Sequence, residues 1–162
     1  FWFAQDSSGQ YDHRIELHCR SKSNFAKEEW TELRSNRVAL MFQDLRLFPN
    51  LTARENLELI ASQDSHAKAP EKMAALLGVE EFMHTPCGNL SQGQCQRIAI
   101  IRVLRRSFEL LLLDEPFSHL DDDNTRRACK LIEEEIERRQ AGLVLSALSD
   151  STSLSFDRRW KL

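Results

Sequence analysis

Glycine is scarce in this chain: there are five in 162 residues, and only Gly9 precedes residue 43. No segment has the form G-x-x-x-x-G-K-S/T, so these residues contain no glycine-rich loop of the kind whose amides and lysine cradle nucleotide phosphates. Long apolar runs are missing too. None approaches the roughly 20 residues needed to cross a bilayer, so any tie to a membrane runs through partners. The four cysteines, Cys19, Cys87, Cys95 and Cys129, show neither CxxC nor Cys/His metal spacing. With nothing pointing to secretion, they read as free thiols of a reducing cytoplasm. No sign of charge dominates, and a formal net charge of −3 gives electrostatics no reason to favour nucleic acid. The basic pairs Arg105-Arg106, Arg126-Arg127 and Arg138-Arg139 are local; two of them sit among acids on expected helices and read as solvated faces. The start, Phe1-Trp2-Phe3, has no basic region, cleavage-type site or initiator Met, which fits a chain that begins partway through a longer protein.

What is present suits one globular domain, or a piece of one: 41% hydrophobic and 29% charged residues. Ile15–Cys19 alternates like a short strand, and Lys27 to Arg34 reads as a helical turn or two. Val38–Phe42 is a continuous apolar run, expected as a buried parallel strand ending at Gln43. Leu45 to Pro49 is an apolar loop, and Thr52 with Glu55 forms a capping box that starts a helix. Residues 62–70 are a polar surface loop, followed by a helix from Glu71 to Leu77 closed by Gly78. Ser91 caps a helix running to about Arg106, with Ile98, Ile101 and Val103 or Leu104 for burial. Leu110–Leu113 is expected as a central strand, apolar on both faces. Asp123 or Asn124 opens a helix through about Arg139, Gly142 leads into a third buried strand at Leu143–Leu145, and Ser151 to Leu162 has room for an edge strand. Strands separated by helices indicate an α/β fold with a largely parallel sheet, and the stretch of about 44–106 reads as a helical insertion.

Two runs carry chemistry. Asp114-Glu115 follows four leucines, and a strand ending in carboxylates delivers them to the edge where open α/β sheets bind ligands. The first acid suits a magnesium ion held through its water shell; the second suits orienting or deprotonating an attacking water. The plain alternative is an ordinary acidic turn. Ser91-Gln92-Gly93-Gln94 is a small-residue turn opening a helix, which aims backbone N–H groups and a positive dipole end at phosphate. Its plain alternative is a simple helix cap.

In order and separation these runs resemble the ATP-binding cassette (ABC) ATPases. Leu90-Ser91-Gln92-Gly93-Gln94 with Gln96-Arg97 is similar to the signature LSGGQ-x-QR, with Gln92 in place of its first glycine. Asp114-Glu115-Pro116 with Ser118-His119-Leu120-Asp121 resembles the Walker B and D-loop run. Gln43 and the phrase through Leu47-Phe48-Pro49, Leu51-Thr52 and Glu55-Asn56 resemble the Q-loop region. The resemblance covers about residues 6 to 150.

It implies a P-loop NTPase-like, mostly parallel sheet flanked by helices, in one partial domain over residues 1–162 whose helical subdomain, about 44–106, carries the signature. It implies ATP and Mg2+ as cofactors, a second ABC ATPase subunit and transmembrane permease subunits as partners, and a place at the cytoplasmic face of a membrane through the permease. Glu115 and Gln43 are then catalytic, Asp114 and Gln43 bind the metal, and Ser91, Gln92, Gly93, Gln94 and Asp121 contact nucleotide. The chain departs from the pattern twice. The P-loop expected upstream of Gln43 is not found, and Asp6-Ser7-Ser8-Gly9-Gln10 resembles the family's stretch just past the first helix after a P-loop, so the chain is expected to start just beyond that loop. Where the family places Thr-His after the third strand, this sequence has Ser146-Ala147. Besides an ATPase that energises transport, two readings stay open: a non-hydrolysing partner that donates its signature to a competent cassette, and a non-functional remnant.

Overall fold

The computed structural model describes residues 31–60, 68–147, 154 and 156. The expected strand at Ile15–Cys19, the stretch Asp6–Gln10, most of the helix from Lys27, the loop residues 62–67 and the tail strand lie outside these residues. A π-helical turn, Leu33–Arg37, leads directly into the first strand.

Among the described residues, three strands form one parallel sheet in the order β1 (Val38–Met41), β2 (Leu110–Asp114), β3 (Gly142–Ser146), with β2 central as its four leucines predict. The register aligns Ala39 with Leu111 and Leu143, and Met41 with Leu113 and Leu145. These six side chains share one face, because alternate residues of a strand point the same way. All six belong to or pack against the hydrophobic core. The next row, Leu40, Leu112 and Val144, falls on the other face, where Leu40 is 38% and Val144 41% exposed. β1 and β3 are thus covered on one face, not buried on both as their apolar runs suggest. A strand's composition reports what its faces can tolerate, whereas burial depends on what the rest of the fold lays over them.

Between β1 and β2, three α-helices lie among the described residues: α1 (Ala53–Glu58), α2 (Pro70–Leu76) and α3 (Gln92–Leu104). The capping box of Thr52 and Glu55 forms as expected. Gly78 takes φ 63° just past α2, the left-handed conformation that glycine adopts without strain. α3 packs on β1 and touches α1, α2 and α4 (Asp122–Arg139), so it is the hub of the helical side. Its Ile98, Ala99, Ile100, Ile101 and Leu104 are all buried.

α4 starts one or two residues earlier than expected. Asp121, not Asp123 or Asn124, is its cap, since the Asp121 carboxylate accepts the Asn124 amide at 2.8 Å. Of the pair Arg138-Arg139, expected as a solvated face, Arg138 is exposed but Arg139 is not. Arg139 is only 7% exposed; it pairs with the buried Glu135 at 3.2 Å and donates to the carbonyls of Leu104 and Arg106 at 2.7 and 2.6 Å. Three cationic side chains, Lys68, Arg138 and Arg139, lie within 4 Å of that one carboxylate. Burying a carboxylate without partners is costly, and Arg139, which also reaches the Leu104 and Arg106 carbonyls, closes the end of α3 against α4.

Candidate functional site

The parallel register brings three distant segments to one edge. Asp114 pairs with Ser146 and Met41 with Leu113, so Gln43, Asp114-Glu115 and Ser146 all stand at the carboxyl ends of neighbouring strands. Such edges are where open α/β sheets bind ligands. Asp114 and Ser146 share a face, and the Ser146 hydroxyl donates to Asp114 Oδ1 at 2.5 Å. The Glu115 amide donates to the Ser146 carbonyl at 3.1 Å, extending the ladder by one step. Ser146 therefore orients the first acid and fixes the backbone of the second. Ala147 follows it with no polar side chain.

Glu115 has φ 45°, one of four non-glycine residues at positive φ among the described residues. A left-handed residue with a Cβ costs about 1–2 kcal/mol. Strain of this kind persists where the surroundings enforce it, and it concentrates at functional sites. The enforcement comes from α3. Gln96, 1% exposed, donates from Nε2 to the Glu115 carbonyl at 2.8 Å, lies 3.2 Å from the Ser118 hydroxyl, and accepts the His119 amide on Oε1 at 2.9 Å. Its amide spans the turn from the second acid to His119. Gly93 fits against the same turn, since a Cβ there would lie 2.6 Å from the His119 carbonyl oxygen. Its glycine is thus required by packing within the chain, in addition to any close approach of phosphate.

Ser91 caps α3 as expected: its Oγ accepts the Gln94 amide at 3.2 Å, and Gln94 Oε1 accepts the Ser91 amide at 2.8 Å. Gln92 and Ser91 are exposed. Asp121 lies at the head of α4, where hydrogen bonds from Asn124 hold its carboxyl below the usual range. Arg97 links the two helix ends: it donates to the carbonyls of Leu77 and Gly78 and to Asn124 Oδ1, at 2.8, 3.2 and 3.1 Å. Burial lowers its pKa while the charge of Asp121 opposes the fall.

The turn after β1 is strained as well. Gln43 is exposed, and Leu45 and Arg46 have φ 54° and 50°. The Arg46 guanidinium stacks 3.4 Å from the Phe42 ring centroid and pairs with Asp44 at 3.4 Å. Beyond it, the fully buried Asn56 accepts the Phe48 amide at 2.8 Å and donates to the carbonyls of Phe48, Leu51 and Thr52 at 3.0, 3.2 and 3.0 Å. The glutamate and asparagine of this segment therefore do different jobs, one capping α1 and the other bracing the apolar loop.

Sequence reasoning placed Gln43, Asp114, Glu115 and Ser91–Gln94 in elements that the structure confirms, but assigned no role to Asn56, Gln96 or Arg102. The available signal was a polar residue on an otherwise apolar helix face, at Gln96 and Arg102. The donor set also fits the implied ion. The donors that the register brings to this edge, Asp114, Glu115 and the amide of Gln43, offer oxygen ligands, the type that magnesium takes beside its waters and phosphate oxygens. Nucleotide fits too, since the first turn of α3 carries no acid.

The sequence pattern of the family described as ABC transporter matches residues 8–118. The chain belongs to that family. It is 34% identical over 136 residues to the thiamine import ATP-binding protein ThiQ of Haemophilus ducreyi, covering 80% of this chain and 63% of that one. It is 42% identical over 108 residues to the molybdenum import ATP-binding protein ModC of Escherichia coli, covering 67% and 30%. The ABC chain thus spans less than two thirds of the length of these relatives. Among solved structures, a post-hydrolysis dimer of the ATP-binding cassette MJ0796 bound to ADP and Pi superposes with a TM-score of 0.67 at 25% identity, covering 82% of this chain and 61% of that one. A further dimeric structure of MJ0796, described as a bacterial ABC transporter cassette, gives a TM-score of 0.62 at 26% identity, covering 77% and 58%. The sheet and its flanking helices are therefore those of the ABC ATPases, with a P-loop NTPase fold. No helix among the described residues is long and apolar enough to cross a membrane.

Proposed function

We propose that the chain is part of the ATP-binding subunit of an ABC transporter and that the subunit hydrolyses ATP to energise transport. The observation that carries this reading is the register that gathers Gln43, Asp114, Glu115 and Ser146 at one sheet edge, with the strained Glu115 clamped by the signature helix. In this role Glu115 takes a proton from the attacking water, Gln43 positions that water, and Asp114 with Gln43 holds magnesium. Magnesium would neutralise charge on the phosphates. Ser91, Gln92, Gly93 and Gln94 face ATP held by a second subunit, Asp121 borders it, and a permease seats the pair at the cytoplasmic face of the membrane.

Glu115→Gln should keep ATP binding and slow hydrolysis by about 10² or more, the effect of losing a positioned base. Hydrolysis at the unaltered rate removes Glu115 from this role. Ala147 favours a second reading, in which the chain donates its signature to a competent cassette without turning over ATP itself. Adding the chain to such a cassette then raises the cassette's turnover, while Glu115→Gln in this chain has no effect.

A further inference from the structure

Arg102 lies in the last turn of α3, far along the helix from the Ser91 cap and outside every residue assigned above. Its guanidinium reaches across to the turn after β1 and donates to two successive carbonyls, Leu45 at 2.5 Å and Arg46 at 2.7 Å. Those are the two residues held at positive φ. The turn is otherwise closed by short-range backbone bonds, Leu45 to Phe42 at 3.0 Å and Arg46 to Asp44 at 2.6 Å. Neither residue is glycine, so the right-handed conformation is the lower-energy alternative for each. Flipping either residue would swing its carbonyl away from the guanidinium.

We propose that Arg102 is a positioning residue for Gln43: its forked guanidinium holds the Asp44–Arg46 turn left-handed and so fixes where Gln43 stands at the sheet edge. The planar fork matters, because it offers parallel donors to two adjacent acceptors, whereas a lysine ammonium is a point donor. Burial lowers the Arg102 pKa, as expected for a cation taken from water to serve carbonyls inside the fold. α3 thereby holds both edge loops, the β2 turn through Gln96 and the β1 turn through Arg102. The inference rests on the role given to Gln43 above.

Hydrogen exchange at the Leu45 and Arg46 amides, together with steady-state ATP turnover by the full subunit, tests it. In Arg102→Ala, which loses both charge-assisted hydrogen bonds, and, should that variant fail to fold, in Arg102→Lys, which loses at least one, exchange at both amides should rise at least about tenfold. kcat should fall by a similar factor while KM for ATP stays within about threefold, since Asp114 remains to hold the ion and Gln43 is displaced chiefly from the attacking water. Arg46→Gly added to either variant should restore much of the protection, because glycine holds the left-handed form unaided. Wild-type exchange at both amides in Arg102→Lys overturns the proposal, as does failure of the glycine to rescue. Lost protection with unchanged turnover also overturns it, by separating the turn from Gln43. A parent protein without turnover is instead a failure of the functional reading, and the exchange data alone then decide whether Arg102 holds the turn.

Discussion

α1 and α3 begin on the same plan and end with different properties. Each opens on a hydroxyl cap closed by a capping box, Thr52 with Glu55 and Ser91 with Gln94. Each then buries an amide side chain that reaches back to a loop, Asn56 for residues 48–52 and Gln96 for residues 115–119. The difference is charge. Glu55 places an acid on the positive end of α1 and accepts the Thr52 amide and hydroxyl; Gln94 closes its box with a neutral group that accepts the Ser91 amide. Of the four α-helices among the described residues, α3 alone has no acid in its first turn, since α2 has Glu71 there and α4 has Asp122 and Asp123. An uncompensated helix end attracts anions. The plan is therefore structural in α1, while in α3 the same geometry leaves a positive terminus at the exposed Ser91 and Gln92.

The largest effect expected from breaking this comparison is on stability. Asn56→Leu removes four side-chain hydrogen bonds to the backbone in a fully buried position and leaves the Phe48 amide without its acceptor, while the three carbonyls keep a backbone donor, at a cost of about 3 kcal/mol. Gln96→Leu removes three side-chain hydrogen bonds, leaves the His119 amide without its acceptor and the Glu115 carbonyl with its Ser118 contacts, and should cost about 2 kcal/mol. Denaturant midpoints at unchanged m read both values. A wild-type midpoint in either variant would show that its amide does not brace its loop. Gln96→Leu should also slow ATP turnover, because it releases Glu115 from its left-handed turn, whereas Asn56→Leu acts at the loop after β1.

Next in size is the exchange of charges. Gln94→Glu keeps the box and adds an acid, so it should stabilise α3 by about 0.3–1 kcal/mol. It should nevertheless reduce ATP turnover at least about tenfold, because the new charge faces the incoming phosphate. The reciprocal Glu55→Gln should leave turnover unchanged. If Gln94→Glu turns over ATP normally, the open end of α3 does not meet phosphate.

Much of this plan was legible in the chain, for local reasons. The capping box of Thr52, the Ser91 cap, the glycine after α2 and the four-leucine strand depend on neighbours in sequence, and each formed within a residue or two of its expected place. The acids of Asp114-Glu115 were legible as a strand end. What could not be read was anything set by distant partners. The open face of Leu40 and Val144 depends on what covers the sheet, and the burial of Arg139 depends on Glu135 and on the end of α3. The left-handed turns at Leu45, Arg46 and Glu115 carry no sequence mark, since none is glycine; they are imposed by Arg102 and Gln96 from 56 and 19 residues away. The role of Gly93 was read from its family position, but its tightest neighbour proved to be the His119 carbonyl.

The smallest expected effect separates the two boxes by pH alone. The Glu55 carboxyl is held below its usual range by hydrogen bonds from the Thr52 amide and hydroxyl. A carboxyl whose folded pKa is depressed stabilises the fold above its unfolded value of about 4.3, and that stability is lost as pH falls through the lower folded value. Gln94 has no proton to gain there. The comparison is clean because the amides of Asn56 and Cys95 make the same bond, each donating at 2.9 Å to the carbonyl of its own cap residue. Protection of the Asn56 amide, corrected for intrinsic exchange, should therefore decline as pH drops below about 4, while that of Cys95 stays level. Glu71, Asp121 and Glu134 are depressed as well and weaken the whole fold in the same direction, so the discriminating quantity is the difference between the two amides. Glu55→Gln should abolish that difference by making α1 as indifferent to acid as α3, and a difference that survives the substitution would mean that some group other than the capping carboxylate titrates at α1.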